Sequence, residues 1–108
     1  MDLYGIKTCD TCRKARKALE AAGKTVIFHD IRETPLSAEK LAAFYEAFGD
    51  KLLNRSSTTW RGLDEAERAT PVKDLLALHP TLMKRPVLEE AGQMTLGWAK
   101  DVQGLWLA

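Results

Sequence analysis

The stretch that decides the fold is LYGIKTCDTCRKARKALEAAGKTVIFHDI, residues 3–31. An apolar run from Leu3 to Ile6 leads into the only two cysteines of the chain, Cys9 and Cys12. Arg13 to Ala22 is then dominated by Ala, Leu, Lys and Arg, all good helix formers. Cys12, Ala15, Ala18, Leu19 and Ala22 recur at three- and four-residue spacing, so they share one face, while Arg13, Lys14, Arg16 and Lys17 point elsewhere. Gly23 suits a helix C-terminus. The β-branched and aromatic run Thr25-Val26-Ile27-Phe28, continuing toward Ile31, reads as a second strand. Strand, helix and strand within about 30 residues predict a parallel pair joined by a right-handed crossover.

Downstream, Pro35-Leu36-Ser37 opens a helix with Ser37 as N-cap and Leu41, Phe44 and Phe48 as its apolar stripe before Gly49. Short turns are expected at Leu52-Leu53 and at Trp60 to Leu63, around a polar Ser-Ser-Thr-Thr segment. A further helix spans Val72 to Leu78, with Pro71 at its first position and His79-Pro80 stopping it. Arg85-Pro86-Val87-Leu88 and Met94-Thr95-Leu96-Gly97 flank an Ala91-Gly92-Gln93 turn and predict an antiparallel hairpin. Lys100 to Leu107 is a short amphipathic tail whose Val102, Leu105 and Trp106 can dock. The order βαβ, helices, ββ, α is that of an α/β thioredoxin-like fold. It implies a four-stranded mixed sheet in a single domain over residues 1–108, with a helical insertion over about 36–79.

Hydrophobic content of 45% and charged content of 29% are those of an ordinary globular chain. A net charge of +1 lacks the basic excess of a nucleic-acid binder, so no direct nucleic-acid contact is expected and any anion site is local. The start MDLYGIK has neither the basic residues nor the apolar run of a signal peptide, and no stretch approaches the ~20 apolar residues of a membrane span. The expectation is a cytoplasmic monomer without membrane contact. In that compartment a cysteine pair is catalytic, regulatory or metal-binding more often than a permanent cross-link.

A thiol at a helix start is activated by free N–H groups and the positive end of the helix dipole. Cys9 occupies that position, with Lys7, Arg13 and Lys14 adding positive potential and Asp10 opposing it. Cys12, one turn on, can reach back to Cys9 and resolve a mixed disulfide, which makes Cys9 the attacker and Cys12 the resolver. On the other reading Cys12 is a small core residue of the apolar face. A zinc site would need His29 and His79, but these lie 50 residues apart and show no ligand spacing. Arg85, before Pro86 at a strand start, is placed to hold an anionic substrate beside Cys9. Arg55, near Trp60 and Arg61, has the forked geometry that binds an oxyanion or carboxylate.

Read together, YGIKTCDTCRKAR (4–16), LLNRSSTTWRGLDE (52–65) and LMKRPVLEEAGQMTLGW (82–98) resemble the ArsC family of glutaredoxin-type arsenate reductases. They are most similar to its small YffB-like branch, related to the regulator Spx. The resemblance implies the nucleophile's role for Cys9, an anion-loop role for Arg13, and for Arg85 the place of the arginine before a cis proline, Pro86. It implies no bound cofactor, with glutathione as co-substrate and glutathione or glutaredoxin as recycling partner. The chain departs from the reductases at Asn54 and Trp98, where two further oxyanion-binding arginines are expected, and at Gly5, where a histidine usually precedes the loop. Arg55 also comes one position earlier than the arginine of the YffB-like branch. The leading expectation is therefore a glutathione-dependent thiol-disulfide reductase. The alternatives are an Spx-like redox sensor that binds the RNA polymerase α subunit and, third, an arsenate reductase.

Overall fold

A computed structural model describes all 108 residues. The chain resolves into two units, one of Met1–Asp30 with Arg85–Ala108 and one of Ile31–Lys84. In the first, β1 (Asp2–Gly5), α1 (Asp10–Ala21) and β2 (Ile27–Asp30) are followed by β3 (Val87–Glu90), β4 (Gln93–Leu96) and α6 (Lys100–Leu107). The strands form one mixed sheet in the order β2-β1-β3-β4. β1 and β2 are parallel, while β1 with β3 and β3 with β4 are antiparallel. This is the thioredoxin-like arrangement.

Strand alternation sorts the side chains onto two faces. Leu3 of β1 stands opposite Leu88 of β3, and both join Cys12, Ala15 and Leu19 of α1 with Val102 and Trp106 of α6 in one buried cluster. A large apolar side chain such as Leu19 contributes on the order of 1.5–3 kcal/mol on removal from water and the smaller Cys12 and Ala15 less, so the stripe at positions 12, 15 and 19 is what binds α1 to the sheet. On the alternate position Tyr4 stacks on His29, with ring centroids 4.5 Å apart.

The second unit carries α2 (Ala38–Phe48), α3 (Thr58–Arg61), α4 (Glu65–Arg68) and α5 (Val72–Leu78), with 3-10 turns at Gly49–Leu52 and Pro80–Leu82. Its short helices are held by their caps. Ser37 accepts the Lys40 N–H, Ser57 accepts the Trp60 N–H, and Asp64 and Glu67 form a reciprocal capping box. Leu53 pairs with Met83 in an isolated bridge, and Lys84 N–H donates to Leu52 O at 2.7 Å.

Several expected boundaries move. α1 starts at Asp10, directly after Cys9, where Cys9 O accepts the Arg13 N–H at 3.0 Å. Ala22 caps the helix and is exposed instead of extending its buried face. β2 begins at Ile27, where its N–H finds Met1 O at 2.8 Å, and not at Thr25. Pro71 is the N-cap of α5 rather than its first residue, its carbonyl accepting the Leu75 N–H.

The hairpin turn is two residues long: Ala91 (φ 51) and Gly92 (φ 83) both lie in the left-handed region, as a type I′ turn requires. Pairing therefore extends to Glu90 and Gln93. Pro86, which has no N–H for the ladder, stands outside β3 and contributes its carbonyl to Gly97 N–H at 2.8 Å. No helix is long and apolar enough to cross a membrane.

α6 is fastened to β4 by a buried hydrogen bond in which Trp106 Nε1–H donates to Thr95 Oγ1 at 2.8 Å. Thr95→Val keeps the shape and leaves the indole N–H without a partner, which costs about 1–3 kcal/mol. A chemical denaturation curve should show a lower midpoint with an unchanged slope; an unmoved midpoint contradicts this role.

Candidate functional site

Three backbone contacts build the loop between β1 and α1. Cys9 N–H donates to Ile6 O at 3.0 Å, closing a turn immediately after the strand. Lys7 N–H donates to Asp30 Oδ2 at 2.9 Å, which ties the loop to the end of the neighbouring strand β2. The Arg13 N–H to Cys9 O bond then begins the helix, so Cys9 is its N-cap, with extended backbone at φ −80° and ψ 119°. No side-chain hydrogen bond of ordinary length caps α1. The open first turn instead presents its N–H groups to the Cys9 sulfur.

The two thiols are free and differ in surroundings. Cys9 is half-buried, while Cys12 is 0% exposed. Burial pushes the Cys9 thiol up, but the Cys12 N–H, the Cys12 thiol, the Arg85 charge and the Thr11 N–H together outweigh it, and the net shift is downward. Cys12 is pushed up to about 12, first by burial and further by the charge of Cys9 and by donating its proton to it; the Ile6 N–H and Arg85 oppose this only in part. Relative to an ordinary thiol, then, Cys9 is shifted toward the anion, while Cys12 keeps its proton at neutral pH. The deprotonated sulfur is the nucleophile of thiol chemistry, so the more accessible thiol is also the one shifted toward the nucleophilic form.

Arg85 is half-buried and precedes Pro86 across a cis peptide bond, with Pro86 itself buried. Its charge favours the anion on both sulfurs, ranking behind burial and the Cys12 hydrogen bonds for Cys9 and last among the influences on Cys12. Lys7 is exposed and enters the loop through its backbone. Arg13 is exposed too, with Nη1 3.8 Å from Asp10 Oδ1, so part of its charge is answered one turn back. Arg55 belongs to the second unit, where its guanidinium lies 5.5 Å from the centre of the Trp60 ring; Arg68 lies over the same ring at 5.3 Å.

Of the departure positions, Asn54 Oδ1 accepts the Ser56 N–H at 3.0 Å within the second unit. Trp98 is half-buried against the first unit's cluster, which Cys9 also touches. His29 pairs with Asp2 at 2.8 Å and His79 approaches Glu67 at 3.9 Å.

Two contributors escape a reading of motifs. Asp30 is 7% exposed, and its carboxylate holds the loop through the Lys7 N–H. Its only trace in the sequence is an acidic residue closing an apolar strand. Gly5 touches Cys12: a Cβ there would overlap the Cys12 sulfur. The sequence shows the glycine but not what lies against it.

The model of the ArsC family matches residues 4–103. An uncharacterized protein of Haemophilus influenzae is 40% identical over 101 residues, covering 89% of each chain. The global transcriptional regulator Spx of Bacillus subtilis is 28% identical over 92% of this chain and 80% of its own. Among solved structures, the YFFB protein superposes with a TM-score of 0.89 at 38% identity, over 99% of this chain and 98% of that one. An arsenate reductase (ArsC) related protein from Brucella melitensis gives 0.76 at 37% identity, over 97% and 92%.

Arg85→Met should raise the Cys9 pKa, because a cation that favours the thiolate is gone. Iodoacetamide alkylation near neutral pH should slow several-fold, and Arg13→Met should slow it less, its charge being shared with Asp10. Equal effects of the two substitutions contradict the ranking.

Proposed function

The chain belongs to the ArsC family, and from that premise we propose that it is a thiol-disulfide reductase that takes electrons from glutathione. The observation that carries this reading is the opposed protonation of two thiols in the first turn of one helix, Cys9 lowered and Cys12 raised to about 12.

In the proposed reaction the Cys9 thiolate attacks the glutathione sulfur of a mixed disulfide. A Cys9–glutathione bond forms, the old disulfide bond breaks, and the released thiolate takes a proton from water. Cys12 then loses its proton and attacks the Cys9 sulfur, and glutathione leaves and is protonated. The remaining Cys9–Cys12 disulfide is reduced by two further glutathione molecules or by a glutaredoxin dithiol. Once Cys9 is bound in the mixed disulfide its charge is gone, and with it one of the influences that hold the proton on Cys12. Burial persists, so resolution by Cys12 competes with attack by a second glutathione.

Arg85, Lys7 and Arg13 serve as cationic partners for the carboxylates of glutathione, and Pro86 shapes the chain beside them. Arg55 is proposed as an anion-binding residue of its own unit. The reaction runs in the cytoplasm on a monomer, with no bound cofactor.

A second reading is favoured by the likeness to the transcriptional regulator Spx. In it the same pair is a switch, and its oxidation state governs contact with the RNA polymerase α subunit. Arsenate reduction stands third: Asn54 bonds within its own turn and Trp98 packs on a core, and neither offers a cation to an oxyanion.

With a glutathione mixed disulfide and glutathione reductase as the coupled readout, Cys9→Ser should lower turnover by at least about a hundredfold, the nucleophile being lost. Cys12→Ser should still gain glutathione on Cys9. Undiminished turnover by Cys9→Ser overturns the assignment. Co-purification of the α subunit with only one redox form, alongside no turnover by wild type, favours the switch.

A further inference from the structure

Gly5, the last residue of β1, has a φ outside the left-handed region, so its backbone makes no demand for glycine. The demand comes from space. A Cβ at this position would overlap Cys12 Sγ and come within 3.2 Å of both Cys12 Cβ and Leu3 Cδ2. Cys12 is 0% exposed and lies in the cluster with Leu3, Ala15, Leu19 and Leu88. Its sulfur is enclosed, and close-packed interiors yield little. A side chain at position 5 is accommodated only if Cys12 turns about its Cα–Cβ bond or the start of α1 lifts from the strand. Either movement changes the placement of the second thiol relative to the first.

We propose that Gly5 is a positioning residue for Cys12: its bare backbone admits the buried sulfur against β1 and so sets whether a Cys9–Cys12 disulfide can close. The proposal deepens the reductase reading and rests on its assignment of Cys9 as attacker and Cys12 as resolver. In the closing step the Cys12 sulfur displaces glutathione from Cys9, the Cys12 proton going to the leaving glutathione; over both steps two thiols are oxidised to one disulfide and glutathione disulfide is reduced to two glutathione molecules. A chain with a larger residue at position 5 keeps the first attack and loses the internal resolution, and it then depends on a second glutathione.

The test uses the full chain as wild type, Gly5→Ala, Cys12→Ala and the double variant. Each is exposed to glutathione disulfide and followed by intact mass, and each is unfolded in denaturant. Wild type should pass through a Cys9–glutathione adduct to a species lighter by two hydrogens than the reduced chain. Gly5→Ala should accumulate the adduct and close on the order of tenfold or more slowly, as misplaced reacting groups do.

The denaturation midpoint should drop on Gly5→Ala when Cys12 is present and drop much less when it is alanine, because the overlapping sulfur is then absent. If Gly5→Ala fails to fold and the double variant folds, the coupling is upheld; if neither folds, the proposal falls. Closure at the wild-type rate also overturns it, as does an equal midpoint loss in both backgrounds, which would point to Leu3. A wild type that holds glutathione on Cys9 and never closes overturns the resolver assignment instead, and the stability cycle alone then decides whether Gly5 positions Cys12.

Discussion

The helix start at Cys9 places two thiols on opposite sides of a solvent boundary, and the chemistry of the molecule depends on that placement. Cys9 caps α1 and is half-buried; Cys12, three residues on, is enclosed. N–H groups of the open first turn and the Arg85 charge favour the anion on the first sulfur. The second, short of comparable compensation, keeps its proton and lends it to the first. One turn of helix thus holds one thiol shifted toward the anion and one held protonated.

What keeps the turn in place is the sheet beneath it. Leu3 opposes Leu88, both pack on Ala15 and Leu19, and the indole of Trp106 bonds to Thr95, so α1 and α6 are fixed to the same four strands. The loop itself spans the tops of two neighbouring parallel strands, Gly5 ending β1 and Asp30 ending β2, with the Lys7 N–H bonded to the Asp30 carboxylate. A parallel pair brings both strand ends to one edge of the sheet, which is why α/β folds gather their chemistry there.

The strands, the long helices and the cysteine pair were legible because each has a local cause. Positions 12, 15 and 19 follow the helical period, Ser37 announces its helix, and Ala91-Gly92 marks the hairpin. The shift in the start of β2 came from a bond that crosses the chain: Ile27 begins the strand because Met1 O is there to receive its N–H. α4 is four residues long and held by a capping box more than by periodicity, so an apolar pattern does not disclose it. Within the site, Cys9 could be read from its place before a helix, whereas Asp30 and the contact of Gly5 with Cys12 exist only once the strands are side by side. Arg55 carried the chemistry of an anion binder in the sequence, and its guanidinium is found over Trp60 in the second unit.

Gly5, Asn54 and Trp98 stand where the arsenate reductases are expected to carry a histidine and two arginines. Here Gly5 makes room for a sulfur, Asn54 bonds within a turn and Trp98 packs on a core. The chemistry rests on the two thiols of one helical turn ionising far apart. Nuclear magnetic resonance of the protein labelled at the cysteine Cβ carbons, titrated with pH, reads both directly. One transition is expected below the ordinary thiol value, assigned to Cys9 by its absence in Cys9→Ser, and a second at about 12 for Cys12. Two coincident transitions near the ordinary ~8.5, or Cys12 ionising first, would contradict it.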